Sequence, residues 1–206
     1  MNNIDENAFF GCSKLEKISI PNQSAVIKKN AFTNCSSLKN VSLPSLMKSI
    51  EEGTFKGCKM MEQINIPSSV TTIKNEAFSD CSSLTVVELP PSLTSFGDDS
   101  FSGCSKMTQI SIPQSVTVIN RNAFKGCSSL IQVEIPTSVT SINAFAFNKC
   151  SNLEHIKIQS TTINIDSTAF LECPKLAKED IPNSSPKKST SSYVSVRSTR
   201  KKATFK

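Results

Sequence analysis

The sequence is poor in the residues that usually build an enzyme site. It contains one histidine, His155, no tryptophan and only six glycines. A Ser-His-Asp or Cys-His site would have to use His155, which falls at an outward position of a predicted strand, where a solvated side chain is the ordinary finding. Gly53 and Gly57 belong to a corner of a repeat and not to a phosphate-binding loop. We therefore expect a protein that is not an enzyme, with no metal, no cofactor and no small-molecule substrate.

Two further absences concern location. No stretch approaches the roughly 18 consecutive apolar residues of a membrane-spanning helix. Residues 1–10 also lack the basic and apolar regions of a secretory signal. The sequence as written predicts a cytoplasmic or nuclear protein. If the chain is a fragment and a signal peptide precedes it, the prediction changes to the cell surface.

Acidic residues are missing from the C-terminal end. Residues 183–206 contain seven of the 23 Lys and Arg residues and none of the 17 Asp and Glu residues, so they carry +7 while residues 1–182 sum to −1. Ser, Thr, Lys and Arg dominate this segment and no periodicity remains, which predicts a disordered basic tail.

The tail contains two basic clusters whose spacing resembles a bipartite nuclear localisation signal. The clusters are Lys187 and Lys188, followed by Arg200, Lys201 and Lys202. Ser185 precedes Pro186 and resembles a proline-directed phosphorylation site, where phosphate would cancel about two positive charges. Alternative interpretations are a solubilising extension and an electrostatic contact with nucleic acid or an anionic membrane.

The sequence does contain a unit of 23 residues that repeats eight times. Each copy has a large apolar residue, then a small residue, then Phe, with Cys three residues after the Phe and Leu or Met three residues after the Cys. The Phe column is Phe9, Phe32, Phe55, Phe78, Phe101, Phe124, Phe147 and Phe170, and the Cys column is Cys12, Cys35, Cys58, Cys81, Cys104, Cys127, Cys150 and Cys173. A fixed period of this length indicates a solenoid.

Each copy also predicts one strand and one tight turn. Short runs such as Ile18-Ser19-Ile20 alternate apolar and polar residues, as half-buried strands do. Pro ends this run in seven of the eight copies, with Gln159 in the other. The Ala-Phe-x-x-Cys segment is too short for an independent helix and predicts a single helical or 3₁₀ turn. The predicted fold is a parallel stack of eight coils over residues 4–182.

The repeat LxxIxIPxSVTxIxxxAFxxCxxL resembles the BspA-like, or Treponema-type, leucine-rich repeat, and the resemblance covers residues 4–182. Ordinary leucine-rich repeats place Asn or Cys soon after the strand, where this sequence has Pro. The resemblance implies a curved leucine-rich-repeat solenoid that binds proteins or glycans, with surface adhesins among its members. The leading hypothesis is an intracellular protein–protein interaction scaffold. The alternatives are a truncated cell-surface adhesin and a nuclear or nucleic-acid-associated protein acting through its tail.

The eight cysteines favour a structural column over a disulfide framework or a metal site. One column has no second column to pair with, and a straight row of thiols does not converge on a tetrahedral metal. Neighbouring thiols would lie within disulfide range, but a cytosolic protein would keep them reduced. Free Cys is small and readily buried, which suits the interior of a solenoid.

The outward positions of the predicted strands form two rows, and the sheet face of a solenoid is its usual binding surface. The rows are rich in amide and hydroxyl groups and lack the aromatic anchors that dominate many interfaces. The candidate partner-binding residues are Lys17, Asn40, Gln63, Val86, Gln109, Gln132 and His155 in one row, with Glu88, Glu134 and Lys157 in the other.

The two ends of the repeat array differ in polarity. Glu179 and Asp180 place charge on the last coil, which is typical of a capping repeat. The first coil is apolar at Ile4, Phe9 and Ile18. An uncovered coil presents unpaired strand groups that favour pairing with another chain. We therefore predict self-association through residues 4–27.

Overall fold

The repeats stack so that each residue lies beside its equivalent in the next repeat. The computed structural model describes residues 3–177 and 180–181, which form a parallel β-solenoid. The strand register always advances by 23 residues, as in the pairs Gln63↔Val86 and Ile50↔Ile73. The sequence period is therefore the length of one turn of the solenoid, as predicted.

Each turn contributes a longer and a shorter strand, and the two kinds stack on different sides of the solenoid. The longer strands are β2 (Lys17–Ser19), β4 (Asn40–Ser42), β6 (Gln63–Asn65), β8 (Val86–Glu88), β10 (Gln109–Ile110), β12 (Gln132–Ile135) and β14 (His155–Ile158). The shorter strands are β1 (Asn3–Ile4), β3 (Val26–Ile27), β5 (Ser49–Ile50), β7 (Thr72–Ile73), β9 (Ser95–Phe96), β11 (Val118–Ile119), β13 (Ser141–Ile142) and β15 (Asn164–Ile165).

The Phe column forms the predicted internal stack. Consecutive rings from Phe9 to Phe170 lie 5.2–5.6 Å apart between centroids and nearly parallel. Seven such contacts join the eight rings, so about seven turns separate the first ring from the last. The rings from Phe32 to Phe147 are fully buried. Offset stacking adds about 0.5–1.5 kcal/mol per pair beyond the burial of apolar area.

The turn after the shorter strand has the predicted i→i+3 hydrogen bonds but does not become a helix between residues 3 and 177. In the second copy, the amide of Cys35 donates to the carbonyl of Phe32 at 3.1 Å. Asn30 before this turn (φ 55°) and Asn34 within it (φ 60°) have positive φ, and they redirect the backbone before a second helical turn can form. The equivalent positions in other copies hold mostly Gly, Asn or Asp, which tolerate that conformation.

The Cys column has a role that packing alone does not explain. Each thiol from Cys35 to Cys173 donates to the carbonyl of the Phe 26 residues earlier, at 3.0–3.3 Å. The same carbonyl accepts the amide of its own coil's Cys, so both of its lone pairs are used. Cys is thus the small apolar residue that also supplies a weak donor between coils.

The cysteines are all free thiols, and burial raises the pKa of Cys81 and Cys127 to about 12. Among the described residues, no group of three or more His, Cys, Asp or Glu could hold a metal ion.

Some predictions fall on residues that the structure does not describe. Glu179 and residues 182–206 lie outside the described ranges. The polar substitution at Glu179, the basic tail, its localisation signal and the phosphorylation of Ser185 therefore stay predictions.

Candidate partner-binding face

The longer strands place all ten candidate residues on one surface. In β6, Gln63 and Asn65 are exposed while Ile64 between them is buried. The inward residue is likewise buried in the longer strands β8 to β14, whereas Ile18 of β2 and Val41 of β4 are only half-buried. Parallel pairing then brings equivalent residues side by side, as in Gln132↔His155 and Glu134↔Lys157. The two rows that the sequence predicted are therefore physical rows along the solenoid axis.

This face contains two grooves that meet at Val86 and Glu88, and we call them together the sheet trough. One groove has a volume of about 410 Å³ and extends from Asn40 to Glu88. The other has a volume of about 610 Å³ and extends from Val86 to Lys157. Nine of the ten candidates line the trough: Asn40, Gln63, Val86, Gln109, Gln132, His155, Glu88, Glu134 and Lys157. Lys17, the tenth, lies on the face but outside both grooves.

Glu134 is the best-connected carboxylate of the trough. Lys157 Nζ lies 2.8 Å from its Oε1, and Gln159 Nε2 donates to the same oxygen. These hydrogen bonds, with Lys157 contributing more than Gln159, lower the pKa of Glu134 from its ordinary value. The sequence identified Gln159 only as the residue replacing Pro at the strand end. Gln159 directly follows β14 and, unlike the Pro at this position in other copies, it has a side-chain amide to donate.

His155 contacts Asp180, which lies near the end of the described part of the solenoid. Its Nδ1 lies 3.4 Å from Asp180 Oδ2, and the imidazole side chain is 69% exposed. The same carboxylate oxygen accepts the amide of Ile156 at 3.3 Å. Asp180 thus satisfies a backbone group at the free edge of β14, as a capping residue does, and His155 sits beside this cap at the end of the trough.

Several further residues line the trough without having been chosen as candidates. Asn65 and Ser111 continue the second row, and Leu89 adds apolar surface at its margin. Leu89 occupies the column that other copies use for core residues, and the sequence pattern alone does not show that it is only half-buried here. The trough therefore combines amides, hydroxyls and carboxylates with small apolar contacts at Val86 and Leu89.

Stacked strands with an internal Phe column and an exposed sheet face define a leucine-rich-repeat solenoid. The family model described as BspA type leucine rich repeat region, with six copies, matches residues 2–131 and 118–202. The chain belongs to this family. A search of curated protein sequences finds no match.

Solved structures of bacterial leucine-rich-repeat proteins share the fold. The T. pallidum protein TpLRR is 28% identical with a TM-score of 0.70, and the match covers 81% of this chain and 73% of that one. A leucine-rich-repeat protein of Bacteroides ovatus is 30% identical with a TM-score of 0.64, covering 84% and 57%. The pneumococcal vaccine antigen PcpA is 18% identical with a TM-score of 0.50, covering 81% and 58%, which shows the fold alone.

The chain is shorter than these proteins and spans little more than half the length of the Bacteroides protein. In the part of this chain that the structure describes, no helix has the length and apolar character needed to cross a lipid bilayer.

Proposed function

We propose that this chain is a non-enzymatic scaffold that binds a protein partner through the sheet trough. The observation that carries the proposal is the continuity of the trough. Nine outward residues from six successive longer strands line two grooves that share Val86 and Glu88. A partner lying along the solenoid axis would contact side chains from every one of these strands.

The chemistry of the trough also supports binding rather than catalysis. Its single imidazole, His155, is paired with Asp180 and well exposed. Its amide and hydroxyl groups suit a hydrogen-bonded, water-containing interface of the kind that many protein complexes use. Membership of a leucine-rich-repeat family is in keeping with a scaffold role.

A paired-variant capture experiment tests the proposal. Gln109→Trp with Gln132→Trp fills the trough with two large side chains that replace exposed residues and leave the core unchanged. Arg121→Trp is the matched control, because Arg121 is also exposed but lies in a turn away from the face. The tagged full chain should capture a defined set of proteins from the native organism. The trough variant should lose them while the control keeps them, with both variants showing wild-type circular dichroism. Equal capture by the two variants would show that the binding site does not lie on the sheet face.

The location of the chain is a separate proposal. We infer a cytoplasmic or nuclear protein from the sequence as written, and a cell-surface adhesin if a signal peptide precedes it in the gene. Antibody labelling of intact and permeabilised cells of the native organism separates these compartments. A nucleic-acid role of the tail predicts DNA binding that weakens steeply with salt and disappears on neutralising Arg200, Lys201 and Lys202.

A further inference from the structure

Carboxylates on the sheet face are paired near its two ends and unpaired in its middle. The paired ones are Glu16 with Lys39 at 3.5 Å, Glu134 with Lys157 at 2.8 Å, Glu154 with Lys175 at 3.6 Å and Asp180 with His155 at 3.4 Å. One exposed glutamate of the middle coils, Glu88 on β8, has no such partner among the described residues. The negative charge of Glu88, at the centre of the face, therefore lacks a cation from this part of the chain.

Glu88 is well placed to meet a partner, because it lines both grooves where they meet. Asn65 lies beside it in register on β6, and the apolar side chain of Val86 lies two residues earlier on the same strand. A Lys or Arg side chain could lay its aliphatic stem on Val86 and reach the carboxylate with its charged end. The one cation that lines the trough, Lys157, already contacts Glu134, so an acidic partner would find no free charge there.

The amides of the trough suit a polypeptide backbone. Asn40, Gln63, Gln109 and Gln132 belong to one row, whose members are one strand spacing of about 4.8 Å apart, with Val86 in the middle of the row. Each amide both donates and accepts, as backbone N–H and C=O groups require. Asn40 and Lys157 lie five strand steps apart, about 24 Å, which an extended segment of about seven residues spans.

We propose that the sheet trough binds an extended polypeptide segment that carries Lys or Arg. The basic side chain pairs with Glu88, while the amide row binds the backbone of the segment. This proposal rests on the proposed function, since it names the chemistry of the partner for the same site.

Peptide binding to the full chain tests the inference. The probes are three fluorescein-labelled decapeptides with blocked ends, in which Ser alternates with Lys, Gln or Glu, and fluorescence anisotropy is measured at low and physiological salt. We expect the Lys peptide to bind most tightly. Glu88→Gln should weaken it about three- to fivefold, the upper range for one exposed charge pair. Glu52→Gln is the matched control, because Glu52 is exposed like Glu88 but lines no part of the trough.

Three results would overturn the inference, and they lead to different conclusions. If Glu52→Gln weakens the Lys peptide as much as Glu88→Gln does, the attraction is non-specific. If the Gln peptide binds as tightly as the Lys peptide and Gln109→Trp blocks both, the trough binds polypeptide but not basic polypeptide, and the proposed function survives. If neutralising Arg200, Lys201 and Lys202 tightens the Lys peptide more than tenfold, the chain's own basic segment occupies the trough instead of a separate partner.

Discussion

The Phe column is the feature of this solenoid whose energetic role is easiest to measure. Phe101 lies near its middle, is fully buried, and stacks on Phe78 at 5.4 Å and on Phe124 at 5.6 Å. It also meets the edge of Phe96 at 6.2 Å. Phe101→Ala removes these ring contacts together with the burial of the side chain. We expect the free energy of unfolding to fall by about 3–5 kcal/mol, toward the upper end because neighbouring rings on both sides limit collapse of the cavity.

Two further variants separate burial from stacking. Phe101→Leu keeps an apolar side chain in the site and removes the ring, so we expect a loss of about 1–3 kcal/mol. Phe170→Ala affects a half-buried ring with a single stacking partner, Phe147 at 5.4 Å, and should cost less than half as much as Phe101→Ala.

Urea unfolding followed by circular dichroism gives the free energies, with the slope of each transition checked for loss of cooperativity. An unmoved midpoint for Phe101→Ala, or an equal loss for Phe170→Ala, would refute the view that the column carries the stability.

Five other experiments have expected outcomes. Ser100 carries the one buried side-chain oxygen without a hydrogen-bond partner among the described residues, so Ser100→Ala should stabilise the protein by about 1 kcal/mol in urea unfolding, and a loss of stability would contradict this. Phe145 has φ of 59°, at a position where most other copies have Asn, Asp or Gly, so Phe145→Asn should raise the thermal midpoint by a few degrees, equivalent to about 1 kcal/mol. The thiol of Cys104 should react with a maleimide far more slowly than the exposed thiol of Cys12, and equal rates in native buffer would disprove its burial. Because the buried thiols hold their protons more tightly in the folded state, the free energy of unfolding should be undiminished below about pH 9 and fall as pH rises toward 12. Finally, Ile18→Lys should weaken self-association through residues 4–27 in sedimentation equilibrium, whereas a strictly monomeric wild-type chain at high concentration would show that no such contact forms.

The fold could be predicted from sequence because the same pattern of apolar and polar positions recurs in all eight copies of the repeat. Each position of the period has one environment, so the residues tolerated there reveal whether it is core or surface. Phe at every copy of one position predicts the stack, and alternation around Ile64 or Val133 predicts which side chains face outward. The ten candidate residues were placed correctly on one face for the same reason. Whether they bind a partner is a matter that the pattern does not address.

Features that depend on contacts between coils were harder to predict. The thiol-to-carbonyl hydrogen bonds join residues 26 positions apart. In the sequence, the Cys column by itself shows only that a small apolar residue is needed there. The positive φ values at Asn30 and Asn34 follow from turn geometry, although Gly, Asn and Asp at these positions were a usable signal. The pairing of Lys157 and Gln159 on Glu134 depends on the register between β12 and β14, which local propensity does not determine.

The identical register of every strand pair has a consequence for how such a protein can change in length. Gaining or losing a whole repeat leaves each column aligned with itself, since the new coil meets neighbours of the same kind above and below. An inserted segment one residue shorter than the repeat would put the residues on its two sides out of register. Polar side chains would then lie opposite the Phe stack. The reach of the trough can therefore be altered by gene duplication in steps of one coil, about 4.8 Å each, while the chemistry of the existing coils stays intact.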